Sequence, residues 1–266
     1  EGIETTFDTV DRDRSLEAGI ARGEVQVGQS APAAAFVPQS RGELMPYRHF
    51  ALMNARDGFF VAARAGSGIE TWADLMGRDL LADHYFQPLG MLRYGLRAAG
   101  VDDARVRYVD AGTPAEMDAA FRAGRGDAVH LQGPAAQQLE AEGLARIVGS
   151  VGDAVGPVSF STLVAAPAWL ATDPARRFIR AFTHAREAAA TGPAASIADA
   201  IAEFLPGASR PALVRTIEAY QRIGTWQGGI TITPELFGNT IAVFRFSGHI
   251  TSDPVADGIL AAAPSA

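Results

Sequence analysis

From Glu24 to Val148 short apolar strands alternate with helix-forming stretches, and no other feature of the chain constrains its fold as tightly. Glu24–Val27, His49–Met53, Gly58–Ala65, Leu80–Asp83, Val106–Val109, Asp127–Leu131 and Arg146–Val148 read as strands. Between them, Pro32–Pro38, Thr71–Met76, Pro88–Ala99, Pro114–Ala123 and Pro134–Glu142 read as helical, each opened by a proline or a capping residue or closed by a glycine. Such alternation predicts βαβ units on a mostly parallel sheet. Upstream, Ile3–Val10 alternates like a strand, and Ser15 caps a short helix through Arg22. Beyond Pro174 the pattern changes to helices over Ala175–Ala190, Ser196–Phe204, Pro211–Ile223 and Pro234–Ser247.

A chain of 266 residues suits two lobes or one large domain, and 48% apolar residues can build a core. The net charge of −7 argues against nucleic acid or an anionic membrane as partner, and no apolar run is long enough to span a bilayer. The 266 residues include no cysteine and no lysine, all 23 basic residues being arginine. That removes disulfides, thiolate chemistry and any Schiff-base lysine, so no covalent pyridoxal phosphate cofactor is expected. No other cofactor is expected either. The sequence opens within the Ile3–Val10 pattern with no basic and apolar leader before it. The expectation is a trimmed mature chain or one whose opening segment is missing.

One pattern repeats. Residues 22–34 read R-G-E-V-Q-V-G-Q-S-A-P-A-A and residues 125–136 read R-G-D-A-V-H-L-Q-G-P-A-A. In each, a strand ends in Gln and a small residue, and proline then opens a helix. Leu80–Leu89, L-L-A-D-H-Y-F-Q-P-L, is a third version. Open α/β sheets bind ligands where strand carboxyl ends meet helix N-termini. Gln29, Ser30, Gln132 and Gly133 are therefore candidate ligand residues, although the same sequence also serves as a well-capped turn. Asp83, His84, Tyr85 and Gln87 belong to the same kind of edge. His84 and His130 either face a ligand or are structural; His49, His184 and His249 read as structural.

Catalytic and metal motifs are absent: no G-x-S-x-G, no G-x-G-x-x-G after a strand, no Walker loop and no H-E-x-x-H spacing. Asp110 and Glu116 flank a helix start, where capping explains them.

Asn54–Arg64 (N-A-R-D-G-F-F-V-A-A-R) and Gly66–Gly77 (G-S-G-I-E-T-W-A-D-L-M-G) resemble the NMT1/THI5-like group of periplasmic substrate-binding proteins of ABC importers, the nitrate, sulfonate, taurine and pyrimidine-precursor binders. Gly124–Asp127, Gly156–Ala165 (G-P-V-S-F-S-T-L-V-A), Tyr220–Trp226 (Y-Q-R-I-G-T-W) and Ile232–Phe237 extend the resemblance over nearly the whole chain. It implies an α/β, bilobal type II periplasmic-binding-protein fold with a helical C-terminal part. One lobe would hold 1–78 plus 166–266 and the other 79–165, with Phe59–Ala65 and Ser161–Ala166 as paired hinge strands. It also implies a periplasmic location, an importer permease as partner, a monomer, and no catalytic residue.

The ligand loops so implied are Gln29, Ser30 and Ala31; Arg56 and Asp57; Asp83, His84, Tyr85 and Gln87; His130, Gln132 and Gly133; and Gly156, Ser159 and Phe160. Arg56 and Asp57 either pair with each other in a turn or present Arg56 to an oxyanion. Tyr220 and Trp226 read as structural residues of the first lobe. The ligand would sit in an interlobe cleft and be a sulfonate- or nitrate-like anion or a small heteroaromatic. The alternative is an enzyme on the same scaffold, decarboxylase- or dehydratase-like, with His84, Asp83 and His130 as its only visible acid–base groups.

Overall fold

The computed structural model describes residues 1–8 and 15–265. Among these, the strands are β1 (Gly28–Ser30), β2 (Arg48–Asn54), β3 (Phe59–Arg64), β4 (Asp79–Leu81), β5 (Arg107–Val109), β6 (Ala128–Gln132), β7 (Ala145–Ser150) and β8 (Ser161–Ala165). The helices begin with α1 (Leu16–Ala21), α2 (Phe36–Ser40), α3 (Phe86–Ala98), α4 (Pro114–Arg122), α5 (Ala135–Ala141) and α6 (Val151–Val155). They continue with α7 (Pro167–Leu170), α8 (Asp173–Thr191), α9 (Ala194–Ile201), α10 (Arg210–Ile223) and α11 (Pro234–Phe246). No helix of the described residues is long and apolar enough to cross a membrane.

The chain divides into two compact units. The first is Glu1–Ala55, Val158–Ala190 and Trp226–Ala266; the second is Arg56–Pro157 and Thr191–Thr225. The division falls at 55/56 and 157/158, whereas the sequence suggested 78/79 and 165/166. Pairing of β3 with β6 and β7 draws residues from Arg56 onward into the second unit. Helix α10 follows because it packs on α5 and α9.

The first unit holds a three-stranded sheet of order β1-β8-β2, antiparallel throughout. Strand β8 is buried on both faces and its side chains alternate. Leu163 and Ala165 pack with Phe50 and Ile179 of α8, while Val164 packs with Leu16, Ile20 and Tyr47. Phe36 meets Phe237 and Phe244 edge-on, at centroid distances of 5.6 and 5.9 Å, which locks α2 to α11. The free edge of β2 is covered near the C-terminus: His49 N–H donates to the Ile259 carbonyl and Ala261 N–H donates to the His49 carbonyl, both at 2.9 Å.

The second unit holds a five-stranded sheet of order β5-β4-β6-β3-β7. Strands β5, β4 and β6 are parallel, and β3 runs against both its neighbours, so β7 runs the same way as β6. One face carries a core of Phe60, Ala62, Leu81, Val129, Leu131 and Leu139 with Met117 and Phe121 of α4.

Several expectations are corrected here. The first sheet is antiparallel and the second mixed, because a strand buried on both faces reads as the same apolar run in either pairing. The two expected hinge strands do not pair: β3 lies in one sheet and β8 in the other. Residues 3–8 form no strand, and Thr9 and Val10 lie outside the described residues. The strand expected at Glu24–Val27 begins instead at Gly28, whose Cα faces Leu16 so closely that a Cβ would lie 2.3 Å from its Cδ1.

Candidate functional site

Strands β4, β6 and β7 end at one edge of the five-stranded sheet, and β3 begins there, with Phe59 opposite Gln132 and Phe60 opposite Ser150. Four segments therefore converge on this edge: Arg56–Gly58, the link from β4 into α3, the Gln132-Gly133-Pro134 turn into α5, and Ser150–Gly156 around α6. The expected lobe-two loops and the Arg56-Asp57 turn are thus brought together within one unit. Ser150 caps α6 by accepting from Asp153 N–H at 3.2 Å, whereas the side chain of Tyr85, the residue before α3, makes no cap bond among the described residues.

Asp57 anchors the edge. Its carboxyl group is fully buried; Oδ1 accepts from Phe59 N–H at 2.6 Å, and Oδ2 has no hydrogen-bond partner among the described residues. Burial pushes its pKa up to about 7, with the Phe59 N–H opposing that rise. Asp57 does not pair with Arg56, whose Nη1 donates to the Gly152 carbonyl at 3.2 Å. The α6 backbone presses on this turn: a Cβ on Gly152 would lie 2.2 Å from the Asp57 carbonyl oxygen.

Gly58 joins the other parts. Its carbonyl accepts from the Tyr220 hydroxyl at 2.8 Å and from Gly133 N–H at 3.2 Å. A Cβ on Gly133 would lie 2.6 Å from Thr216 Cγ2 and 2.8 Å from the Tyr220 oxygen, so α10 presses directly on the turn. Burial raises the Tyr220 pKa above its ordinary value, the Asp57 charge adding to the rise. Tyr220 stacks on Phe60 at 5.8 Å. It is a residue of the second unit and of this edge, which corrects its expected place; Trp226 lies in the first unit, its Nε1 donating to Asn54 Oδ1 at 3.1 Å.

The remaining candidates separate. Gln132 is exposed at the end of β6, with its Nε2 over Gly58. Tyr85 is 76% exposed. Asp83 Oδ1 accepts from Tyr85 N–H at 2.8 Å, shaping the loop, and His84 Nδ1 sits 2.9 Å from the Ala82 carbonyl. Gln87 is half-buried in the first turn of α3, and Gly156 ends α6 with φ of 83°. His130 is corrected to a core residue: it is fully buried, stacks on Phe59 at 4.6 Å, and burial holds its pKa down to about 3.

In the first unit Gln29 is exposed in β1, beside half-buried Ser30 and Ala31. Ser159 is fully buried and its Oγ lies 2.8 Å from Thr240 Oγ1, a structural bond that ties the segment leading into β8 to α11. Phe160 is buried too, its N–H donating to the Asn54 carbonyl at 3.1 Å. Both serve the core rather than a ligand loop. Sequence reasoning missed Gly152, whose signal was the small-residue run Gly149-Ser150-Val151-Gly152. Among the described residues no group of three or more His, Asp or Glu side chains could hold a metal ion.

Residues 1–196 match the model of the family described as NMT1/THI5 like. The chain belongs to the NMT1/THI5-like family. This NMT1/THI5-like chain is 25% identical over 230 residues to YtlA of Bacillus subtilis (strain 168), provisionally named a binding protein; the match covers 84% of this chain and 68% of YtlA. The periplasmic aliphatic sulphonate binding protein SsuA from Escherichia coli matches with a TM-score of 0.63 and 18% identity, over 93% of this chain and 79% of that one. The desulfurization enzyme DszB, solved as a cysteine-to-serine mutant with biphenyl-2-sulfinic acid, matches with a TM-score of 0.64 and 16% identity, over 92% and 85% of the two chains. These likenesses establish the α/β fold as that of the periplasmic binding proteins.

Proposed function

We propose that this chain is an extracytoplasmic solute receptor that binds a small organic anion, a sulfonate, and delivers it to an ABC importer. The observation that carries the reading is the convergence of exposed Tyr85 and Gln132 with Arg56 at the carboxyl edge of β4, β6 and β7. The kinship to a sulphonate-binding protein supports the ligand class. A carboxylate at this edge would repel an anion, but Asp57 is buried and its pKa is pushed up to about 7, so below that pH it is mostly protonated and opposes the charge of Arg56 little. Tyr85 offers a flat face and Gln132 an amide donor.

Titration calorimetry with methanesulfonate, taurine and nitrate tests this, together with mass spectrometry of small molecules released on denaturation. One of the sulfonates binds one-to-one, and Gln132→Ala weakens it by about 1–3 kcal/mol without unfolding the protein. Absence of binding by both sulfonates sinks the ligand class.

A second reading, catalysis on this scaffold, has the likeness to DszB in its favour. Against it, the chain carries no cysteine, His130 is sealed in the core, and Asp83 and His84 are engaged with local backbone. Recovery of intact ligand after incubation supports reception; turnover supports catalysis.

A further inference from the structure

A cavity of about 310 Å³ opens within the second unit, on the face of the sheet where α5 and α10 pack. Of the residues at the candidate site above it touches only Phe60, and none of Arg56, Tyr85 or Gln132 lines it. Helix α10 gives it one stripe at i, i+3, i+4 and i+7: Arg215, Glu218, Ala219 and Arg222. Ala219 is small and leaves room above the Phe60 ring, which floors the cavity. Helix α5 contributes Gln137 and Glu140, again on one side.

Two observations mark this as more than a crease. Gln137 is 1% exposed, and neither its Nε2 nor its Oε1 has a hydrogen-bond partner among the described residues. A buried primary amide left without donor and acceptor is costly, and a bound group offering both would remove that cost. In addition, the side chains of Arg215, Glu218 and Arg222 form no ion pair or hydrogen bond among the described residues, although Glu218 and Arg222 stand at the favourable i, i+4 spacing. Glu140 holds its place by accepting from Ile147 N–H at 3.0 Å through Oε1.

We propose that this cavity is a second binding site, for a small zwitterion that carries a primary amide. Its carboxylate is taken by the guanidinium of Arg215 or Arg222, its ammonium by Glu218, and its amide pairs reciprocally with that of Gln137. The volume suits a molecule of amino-acid size.

L-glutamine is the probe, titrated calorimetrically into the full chain. It binds at one site; the Arg215→Ala, Arg222→Ala double variant weakens it at least about tenfold, and Gln137→Leu erases the preference for glutamine over norvaline, which lacks the amide. Both arginines are exposed, so the double variant keeps its melting temperature. Sulfonate binding is unchanged in that variant, whereas Gln132→Ala leaves glutamine binding unchanged, which separates this site from the sulfonate reading. No binding of glutamine, binding indifferent to the double arginine variant, or binding lost in Gln132→Ala overturns the proposal.

Discussion

The hydroxyl of Tyr220 donates to the carbonyl of Gly58 at 2.8 Å, joining residues 162 positions apart in the chain. Helix α10 thereby fixes the turn that leads into β3 and sets the height of the edge where Gln132 and Tyr85 emerge. Tyr220→Phe keeps the ring stack on Phe60 and removes only the hydroxyl. The Gly58 carbonyl retains its second donor, Gly133 N–H. The variant is less stable by about 1 kcal/mol in denaturant unfolding. Unaltered stability would mean that the bond contributes nothing net.

Asp57 makes stability depend on pH in an unusual direction. Its folded pKa of about 7 lies above the ordinary aspartate value, so between about pH 4 and 7 the folded protein holds a proton that the unfolded chain has lost. Its contribution is full at low pH and is lost as pH rises through 7. Asp57→Asn keeps the acceptor for Phe59 N–H and removes the titration. The variant therefore gains on the parent by up to about 1.4 kcal/mol per pH unit across that window. Parallel stability curves from pH 4 to 8 would refute this.

His130 acts oppositely. Its folded pKa is held down to about 3, so below about pH 6.5 the unfolded chain binds a proton that the folded one refuses. Stability from this residue falls on acidification between 6.5 and 3. His130→Leu removes that loss and two buried ring nitrogens without partners. At pH 7 the variant stays within about 1 kcal/mol of the parent, and it surpasses the parent by pH 5. His49, whose pKa burial also lowers to about 3, leaves a residual acid sensitivity. Greater acid sensitivity in His130→Leu than in the parent would show that the imidazole has a partner in solution.

Gly152→Ala tests the packing behind Asp57. Its new Cβ would meet the Asp57 carbonyl oxygen at 2.2 Å, and backbone cannot yield as a side chain does. The cost is about 3 kcal/mol. Gly156→Ala, at φ of 83° and ψ of −166° with nothing within 4 Å of the added atom, costs about 2 kcal/mol through backbone conformation alone. Thermal melts of the two variants should rank them so; a milder effect at 152 would place α6 farther from the turn.

What the sequence disclosed was local. Thr113 and Glu116 form a reciprocal cap, Glu116 N–H donating to Thr113 Oγ1 at 3.3 Å and Thr113 N–H to Glu116 Oε2 at 2.7 Å, and the capping role is legible in four residues. Ser15 caps α1 for the same reason. The repeated strand-Gln-small-Pro pattern located the carboxyl edge of β6. Partner choice was not legible, because whether β3 lies beside β6 or β8 is decided by packing far along the chain. His130 misled for a related reason: β6 is buried on both faces, so no polar alternation marked its core side. Adjacent Arg56 and Asp57 suggested an ion pair, yet burial separated them, one toward the α6 backbone and the other inward.

The middle position of β8 has a consequence for the order of assembly. Within their sheet β1 and β2 each pair with β8 and not with one another, and Thr162 binds back to Ser30 and His49 across 132 and 113 positions. All five strands of the other sheet lie between Phe59 and Ser150. As the chain leaves the ribosome, that sheet has every strand available before the centre of the first one exists. Until residues 161–165 emerge, β1 and β2 wait with unpaired edges, and in that interval the nascent chain is most exposed to pairing with a neighbour of its own kind.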